Sequence, residues 1–215
     1  MATTKVSAIA PFKVDLSASV LLGTLAGIFA AIVASNLGLV DQTILGLNVS
    51  IFHIFGSFLV LCVVGIIVAR VVGKKIPLIY KFGKFGEAGG LNWLVDMGVL
   101  NLLILFTGLS TGIYFIIFKG ISFLVSASNS YLWNKFWVFR GHKKQDETKE
   151  ATKFFSATVL GLIFNVTLAG SIALVGPKII FEIDSKVWAN LATVTGSLGA
   201  MIFNFILYKI WVFKD

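Results

Sequence analysis

Two short stretches of the sequence share one pattern, NSYLWNKFWVFRGHKKQ at residues 129–145 and FNFILYKIWVFKD at residues 203–215. Each follows a long apolar run and places a lysine, one further residue, the sequence Trp-Val-Phe and then another basic residue. Cationic and aromatic side chains in this arrangement are typical of the interface between a bilayer and water. The stretch is therefore either an anchor that occurs twice or the mark of a duplicated unit.

The composition is that of an integral membrane protein. Hydrophobic residues make up 57% of the chain and charged residues only 13%, whereas a soluble domain carries about 25% charged residues. Apolar runs long enough to cross a bilayer recur along the sequence and predict an all-α membrane fold. The net charge is +8, but the basic residues crowd between the apolar runs. Anionic lipids therefore explain them better than nucleic acid, which we do not expect as a partner.

The apolar runs predict six transmembrane helices, at about 17–40, 50–72, 86–106, 112–133, 154–176 and 188–208. Basic residues are concentrated before the first run, after the last and in alternate connections, whereas the other connections hold only Lys178 and Lys186. The positive-inside rule then places both termini in the cytoplasm. The connector GHKKQDETKEAT at 141–152 is predicted to be a flexible cytoplasmic loop.

Aligning the chain with itself indicates an internal repeat. Lys135 matches Lys209 and Trp137 matches Trp211, while residues 84–96 align with residues 153–165. Both predicted hairpins start inside, so they are parallel repeats. We expect an additional two-helix hairpin at 1–79, followed by a four-helix domain at 80–215 with repeats at about 80–140 and 150–214.

These motifs resemble the GtrA-like family, small bacterial and archaeal membrane proteins of four helices. NFILYKIWVF at 204–213 matches the family's Asn-Phe-x-x-x-basic-x-Trp/Phe-Val-Phe pattern, and SYLWNKFWVF at 130–139 matches it less fully because Ser130 replaces the Asn. The resemblance implies a prokaryotic cytoplasmic membrane protein that moves a polyprenyl-phosphate-linked monosaccharide across the membrane, or assists that step. It also implies a membrane glycosyltransferase as partner, in the synthesis of cell-surface polysaccharide or glycolipid.

Polar residues inside the predicted spans are the candidates for a path through the membrane. Asp96 stands out because an ionised carboxylate near the middle of a span costs on the order of 2.5–3.5 kcal/mol on insertion scales. Its competing role is structural, as a partner of Asn165 or of nearby backbone. Glu87 is predicted to cap the start of its helix. The predicted path comprises Asn92, Asp96, Lys119, Asn129, Asn165 and Asn204.

Basic and aromatic residues at the predicted cytoplasmic ends of the helices are candidates for binding the substrate headgroup and its phosphate. Anchoring by the positive-inside rule and the aromatic belt explains the same residues without a ligand. The candidates are Lys84, Lys135, Trp137, Arg140, Lys153, Lys209 and Trp211.

An enzyme is the weakest interpretation, because the sequence offers no paired carboxylates, nucleophile–base pair or metal cluster at the inner face. His53 and His142 lack partners at metal-ligand spacing, and no nucleotide-binding loop is present. We therefore expect neither metal nor cofactor. The alternatives to a translocase are a scaffold for a glycosyltransferase and a small-solute or proton-coupled exporter. A bundle this small is also compatible with a homo-oligomer.

Overall fold

A computed structural model describes residues 10–36, 38–44, 47–109, 112–140, 146–179 and 185–213. In this part of the chain the fold is helical, apart from a short antiparallel ribbon in the connection between α1 and α2. The elements are α1 (Phe12–Asn36), β1 (Gln42–Ile44), β2 (Leu47–Val49), α2 (Ile51–Gly73), α3 (Pro77–Thr107), α4 (Gly112–Trp133), α5 (Glu147–Ile179) and α6 (Ser185–Leu207). They form two compact units, Met1–Arg140 and Gly141–Asp215.

A multi-pass membrane protein is confirmed by the length and hydropathy of the helices. Within the described residues, five stretches are long and apolar enough to cross a bilayer: α1, α2, α3, Glu147–Ile172 of α5, and Thr195–Val212. The fourth predicted span, 112–133, coincides with α4.

Two helices begin earlier than predicted. α3 begins at Pro77 instead of about 86, with proline at a first-turn position where its missing N–H costs nothing. α5 begins at Glu147 instead of about 154, and the Asp146 carboxylate accepts a hydrogen bond from the Lys149 backbone N–H at 3.1 Å, as a helix cap does. The loop prediction for 141–152 is therefore wrong from residue 147 onward, while residues 141–145 lie outside the described part.

In the first unit, α1, α2 and α3 contact one another, and α4 packs on α3. Glycines bring α1 and α2 together: a Cβ added at Gly23 would lie 2.8 Å from the Leu59 Cα, and one at Gly27 would lie 2.8 Å from the Phe55 ring. Small residues permit such backbone approach between membrane helices, where dispersion contacts drive association. The first hairpin is thus packed on α3 as part of one unit.

Both Trp-Val-Phe stretches lie in π-helical turns. α4 continues into a turn at Asn134–Val138, and α6 continues into one at Tyr208–Val212. The backbone N–H of Phe139 donates to the Asn134 carbonyl at 2.9 Å, and that of Phe213 donates to the Tyr208 carbonyl at 2.7 Å. Each turn holds one more residue than an α-helical turn and so re-aims the side chains that follow.

In the second unit, α5 packs on α6. The Asn204 amide lies directly over Gly161, so that a Cβ at Gly161 would overlap it. The Phe164 and Phe203 rings stack with centroids 4.6 Å apart. At the end where α5 begins, Phe154 packs on Tyr208 with ring centroids 4.5 Å apart.

Candidate functional site

A fully buried carboxylate, that of Asp15, is the centre of a charged cluster in the first unit. Its Oδ1 lies 3.3 Å from the Lys84 Nζ and accepts a hydrogen bond from the Trp137 indole N–H at 3.2 Å. Its Oδ2 accepts a hydrogen bond from the Tyr80 hydroxyl at 2.6 Å and pairs with the Arg70 guanidinium. Two cations and two neutral donors therefore converge on one carboxylate, and we call these five residues the Asp15 cluster.

Four elements supply the Asp15 cluster at one end of the first unit. Asp15 lies in the first turn of α1 and Arg70 in the last turn of α2. Tyr80 and Lys84 are four residues apart and so share a face of α3. Trp137 is presented by the π turn after α4.

Lys84 is only 2% exposed, because its ammonium group lies between Asp15 and two aromatic rings. The Nζ is 4.8 Å from the Trp137 ring centroid and 4.9 Å from that of Tyr80, which is cation–π geometry. A buried charge is tolerated when it is paired in this way. Lys84 and Trp137, both predicted as headgroup contacts, thus lie together inside the unit and not on its surface.

Sequence reasoning missed Asp15, Arg70 and Tyr80 as members of a site. The signal for Asp15 was available, because it is a carboxylate at the start of the first apolar run, one helical turn before Ser19. An acidic residue at the edge of a span, like one inside it, predicts a cationic partner nearby.

Glu87 does not cap a helix, because α3 begins at Pro77 and places Glu87 in the third turn. Instead, its Oε2 accepts a hydrogen bond from the Ser19 hydroxyl at 2.7 Å. Its Oε1 is buried and has no hydrogen-bond partner among the described residues. A Cβ at Gly65 would lie 3.1 Å from this oxygen, so Glu87 reaches across to α2.

The α3–α4 interface brings four polar residues together in two pairs. The Asn129 side-chain amide donates to the side-chain Oδ1 of Asn92 at 2.5 Å, and the Ser122 hydroxyl donates to the Asp96 carboxylate at 2.7 Å. Three of the residues predicted for the intramembrane path, Asn92, Asp96 and Asn129, therefore meet partners on the facing helix. The side chain of Lys119 lies outside the described part of the structure.

The two other cations of the first unit that were predicted as headgroup contacts, Lys135 and Arg140, are nearer its surface. The Lys135 Nζ donates to the Tyr131 hydroxyl at 3.1 Å and lies 5.6 Å from the Phe136 ring centroid. Arg140 is exposed just beyond the π turn. Both side chains are thus more accessible than Lys84, which is buried against Asp15.

In the second unit the predicted residues are arranged differently. Lys153 and Lys209 are half-buried, and Trp211 is 38% exposed, in contrast to the buried Trp137. Asn204 packs on Gly161, and its Oδ1 is buried without a hydrogen-bond partner among the described residues. Asn165 is half-buried on α5.

A groove of about 630 Å³ opens at the other end of the first unit, between α1, α2 and α3. Its walls include Ile32, Phe52, Phe55 and Leu102, and its polar lining is limited to Ser35 and Asn36. It holds no charged group and does not match a phosphate-bearing headgroup.

The comparison with known families decides the identity of the chain. The sequence model of the family described as GtrA/DPMS, transmembrane domain, matches residues 84–213, which is more than half of the chain. The chain belongs to the GtrA/DPMS transmembrane-domain family. The predicted resemblance is thereby confirmed. The match begins at Lys84 and includes Trp137, but it leaves Asp15, Arg70 and Tyr80 outside.

One relative is the protein named uncharacterized membrane protein YngA, from Bacillus subtilis (strain 168). It is 29% identical over 133 residues, which is 62% of this chain and 79% of the relative. No solved structure matches the chain.

Proposed function

We propose that this GtrA/DPMS family protein moves a polyprenyl-phosphate-linked monosaccharide across the cytoplasmic membrane of a prokaryote, or is a subunit of that step. The product would serve the synthesis of cell-surface polysaccharide or glycolipid. The family is related to polyprenyl-phosphate-linked sugars. The observation that carries the proposal is a series of polar side chains along α3, each engaged with another helix of the first unit.

This series, which we call the polar seam, begins at Lys84 and ends at Asn101. Its members are Lys84, Glu87, Asn92, Asp96 and Asn101, with partners Asp15, Ser19, Asn129, Ser122 and Asn36 in that order. The first two members and the last contact α1, and the two between them contact α4. An α-helix rises 1.5 Å per residue, so the seam extends for about 26 Å. The hydrocarbon core of a bilayer is about 30 Å thick.

The polar seam suits the physical problem of the proposed substrate. The polyprenyl tail can remain in lipid, but a sugar headgroup and its phosphodiester must cross a region where each unsatisfied polar group costs several kcal/mol. Side-chain carboxylates and amides spaced every three to five residues can exchange their present partners for sugar hydroxyls. Helix–helix packing is the competing role for such pairs, and the two roles make different predictions for Asp96.

We propose that the headgroup is loaded from the cytoplasmic side, in a topology of six spans with both termini inside. Lys135 and Arg140 of the first unit, and separately Lys153, Lys209 and Trp211 of the second, would contact headgroup phosphates on that side of the membrane. Anionic lipids would contact the same residues.

We also propose that the hairpins at about 80–140 and 150–214 are parallel repeats, preceded by the hairpin at 1–79. One observation supports this. The π turns fall at matched positions, Asn134–Val138 and Tyr208–Val212.

Reconstitution tests the proposed function. The purified protein is placed in liposomes with a labelled polyprenyl-phosphate sugar, and accessibility of the headgroup from outside is followed over time. We expect faster exchange than in empty liposomes, and slower exchange with Asp96→Asn or Lys135→Ala. Asp41→Asn and Lys75→Ala, at exposed positions in connections between helices, are the matched controls.

Exchange no faster than in empty liposomes would reject autonomous translocation. A role as a scaffold for a membrane glycosyltransferase would then be favoured, with co-purification of the transferase as its test. Wild-type rates in both variants would reject the assignment of Asp96 and Lys135 to the path.

A further inference from the structure

The donors around Asp15 match the chemistry of a phosphodiester. We infer that Arg70, Tyr80, Lys84 and Trp137 form a binding site for the phosphodiester group of a lipid, in which the Asp15 carboxylate is an internal ligand that the lipid displaces. The inference deepens the proposed function and rests on it, since a polyprenyl-phosphate sugar is such a phosphodiester.

The first argument is stereochemical. A carboxylate and a phosphodiester each spread a single negative charge over two terminal oxygens. Here one oxygen of Asp15 meets Lys84 and Trp137, and the other meets Arg70 and Tyr80, so each oxygen has one cationic and one neutral donor. Arginine together with neutral N–H and O–H donors is a recurrent way to bind phosphate oxygens. No donor would have to be added for a phosphodiester to replace the carboxylate.

The second argument is charge balance. Arg70 and Lys84 carry two positive charges against the single charge of Asp15, and Arg140 is close enough for its charge to act on Lys84. Glu87, one turn beyond Lys84 on α3, accepts a hydrogen bond from the neutral Ser19 hydroxyl and adds a second negative charge near Lys84. Arg70, Lys84 and Arg140 together still exceed Asp15 and Glu87 by one positive charge, and this excess attracts a further anion.

The third argument is the way in which Asp15 is held. Residues 10–15 lie across the cluster: the Arg70 guanidinium donates to the Ala10 carbonyl at 2.8 Å, and the Ala10 N–H donates to the Tyr80 hydroxyl at 3.1 Å. The Phe12 ring centroid lies 5.3 Å from the Arg70 guanidinium carbon. These contacts all go to the proposed phosphate donors, so one movement of the start of α1 would open the whole site.

Binding measurements on the full-length protein in detergent test the inference. The probes are a short-chain polyprenyl-phosphate glucose, phosphatidylglycerol, and the corresponding polyprenyl glucoside without phosphate. Asp15→Asn removes the competing charge at nearly constant volume. We expect it to bind the first probe on the order of tenfold more tightly than the wild type, because the internal ligand no longer occupies the site. The probe should also raise the unfolding temperature of Asp15→Asn more than that of the wild type.

A second pair of variants keeps the test decisive if Asp15→Asn does not fold. Trp137→Phe retains the ring beside Lys84 but removes one donor, and it should weaken binding of the phosphodiester on the order of tenfold. Trp93→Phe, at a position on α3 that is 62% exposed, is the control and should bind like the wild type.

The outcomes separate this inference from the proposed function. Equal affinity of Asp15→Asn and wild type, or of Trp137→Phe and Trp93→Phe, overturns the site and leaves the liposome assay to decide translocation. Equal binding of phosphatidylglycerol and the polyprenyl probe supports a site for lipid phosphodiesters in general. The site would then no longer support a sugar-linked lipid as the substrate. Equal binding of the phosphate-free glucoside overturns the site.

Discussion

Lys84 and Asp15 form a buried ion pair, with the Nζ 3.3 Å from Oδ1, and this pair joins the family-matched region to α1. The first hairpin therefore does more than precede the family domain along the chain. It supplies the carboxylate that neutralises a lysine at the start of the matched region. Arg70, from the same hairpin, pairs with the same carboxylate.

Replacing Asp15 by alanine should destabilise the protein strongly. The change leaves Arg70 and Lys84 without their counter-ion in a buried setting, and breaking one side of such a pair costs about 3–5 kcal/mol. Unfolding in detergent, followed by circular dichroism, measures the loss. Asp41→Asn is the control, because Asp41 is exposed and has a φ of 61° that asparagine accepts. Similar stability of Asp15→Ala and wild type would contradict a structural role for the pair.

Gly23→Ala should weaken the contact between α1 and α2. The added Cβ would lie 2.8 Å from the Leu59 Cα, which is backbone and cannot rotate away. We expect a loss of about 1–3 kcal/mol, as for other overpacked positions. Gly56→Ala, where a Cβ meets nothing within 4 Å, should be neutral or slightly stabilising. Thermal unfolding of the two variants gives the comparison, and equal midpoints would count against the close approach of the helices.

In the second unit, Gly161→Ala should lower stability mainly when Asn204 is present. The Asn204 amide occupies the space that the new Cβ needs. We expect a loss of about 1–3 kcal/mol from Gly161→Ala alone and less than half of it in an Asn204→Ala background. Gly170→Ala, which meets no atom within 4 Å, is the control. A double-mutant cycle without coupling would show that the two residues do not touch.

Asp96→Asn distinguishes a role of Asp96 in headgroup translocation from a role in helix–helix packing. Asparagine keeps an oxygen that can accept the Ser122 hydrogen bond, so the free energy of unfolding should change by less than about 1 kcal/mol. Exchange of the labelled headgroup should nevertheless slow, because the charge is lost. If exchange and stability both match the wild type, Asp96 serves packing alone.

Deleting Phe136 should convert the π turn into an α-helical one and rotate Trp137 away from Asp15 by about 100°. We expect a larger loss of stability than for Trp137→Phe, because the buried Val138 and Phe139 shift too. Phe136→Ala keeps the register and removes a side chain that is 65% exposed, so it should be mild. Similar unfolding midpoints for the deletion and for Phe136→Ala would argue against a role for the turn.

The sequence predicts the membrane helices well because burial of apolar residues in lipid leaves a strong one-dimensional signal. It also singles out Asp96, Asn92 and Asn129, since polar groups in hydrocarbon are costly. Their partners are not predictable in this way. That Asp96 meets Ser122 depends on how α3 and α4 are rotated about their axes, and that rotation is set by contacts distant in sequence.

The start of α3 shows a different limit. PLIYKFGKF at 77–85 mixes basic and aromatic residues with glycine, and so it reads as a connection between spans. In the structure this stretch is helical and places Tyr80 and Lys84 against Asp15 on another helix, a contact between residues distant in sequence. A π turn is equally hidden, because a single extra residue in a helix leaves no mark in composition or periodicity.

The order of Asp15, Arg70 and Lys84 along the chain also bears on biosynthesis. A chain is made from its N-terminus, so α1 and α2 are available before α3 has been synthesised. Asp15 and Arg70 can then neutralise each other in the newly inserted hairpin. Lys84 arrives later and finds its carboxylate already in place. The first hairpin would thus be a template on which the family domain is assembled as it leaves the ribosome.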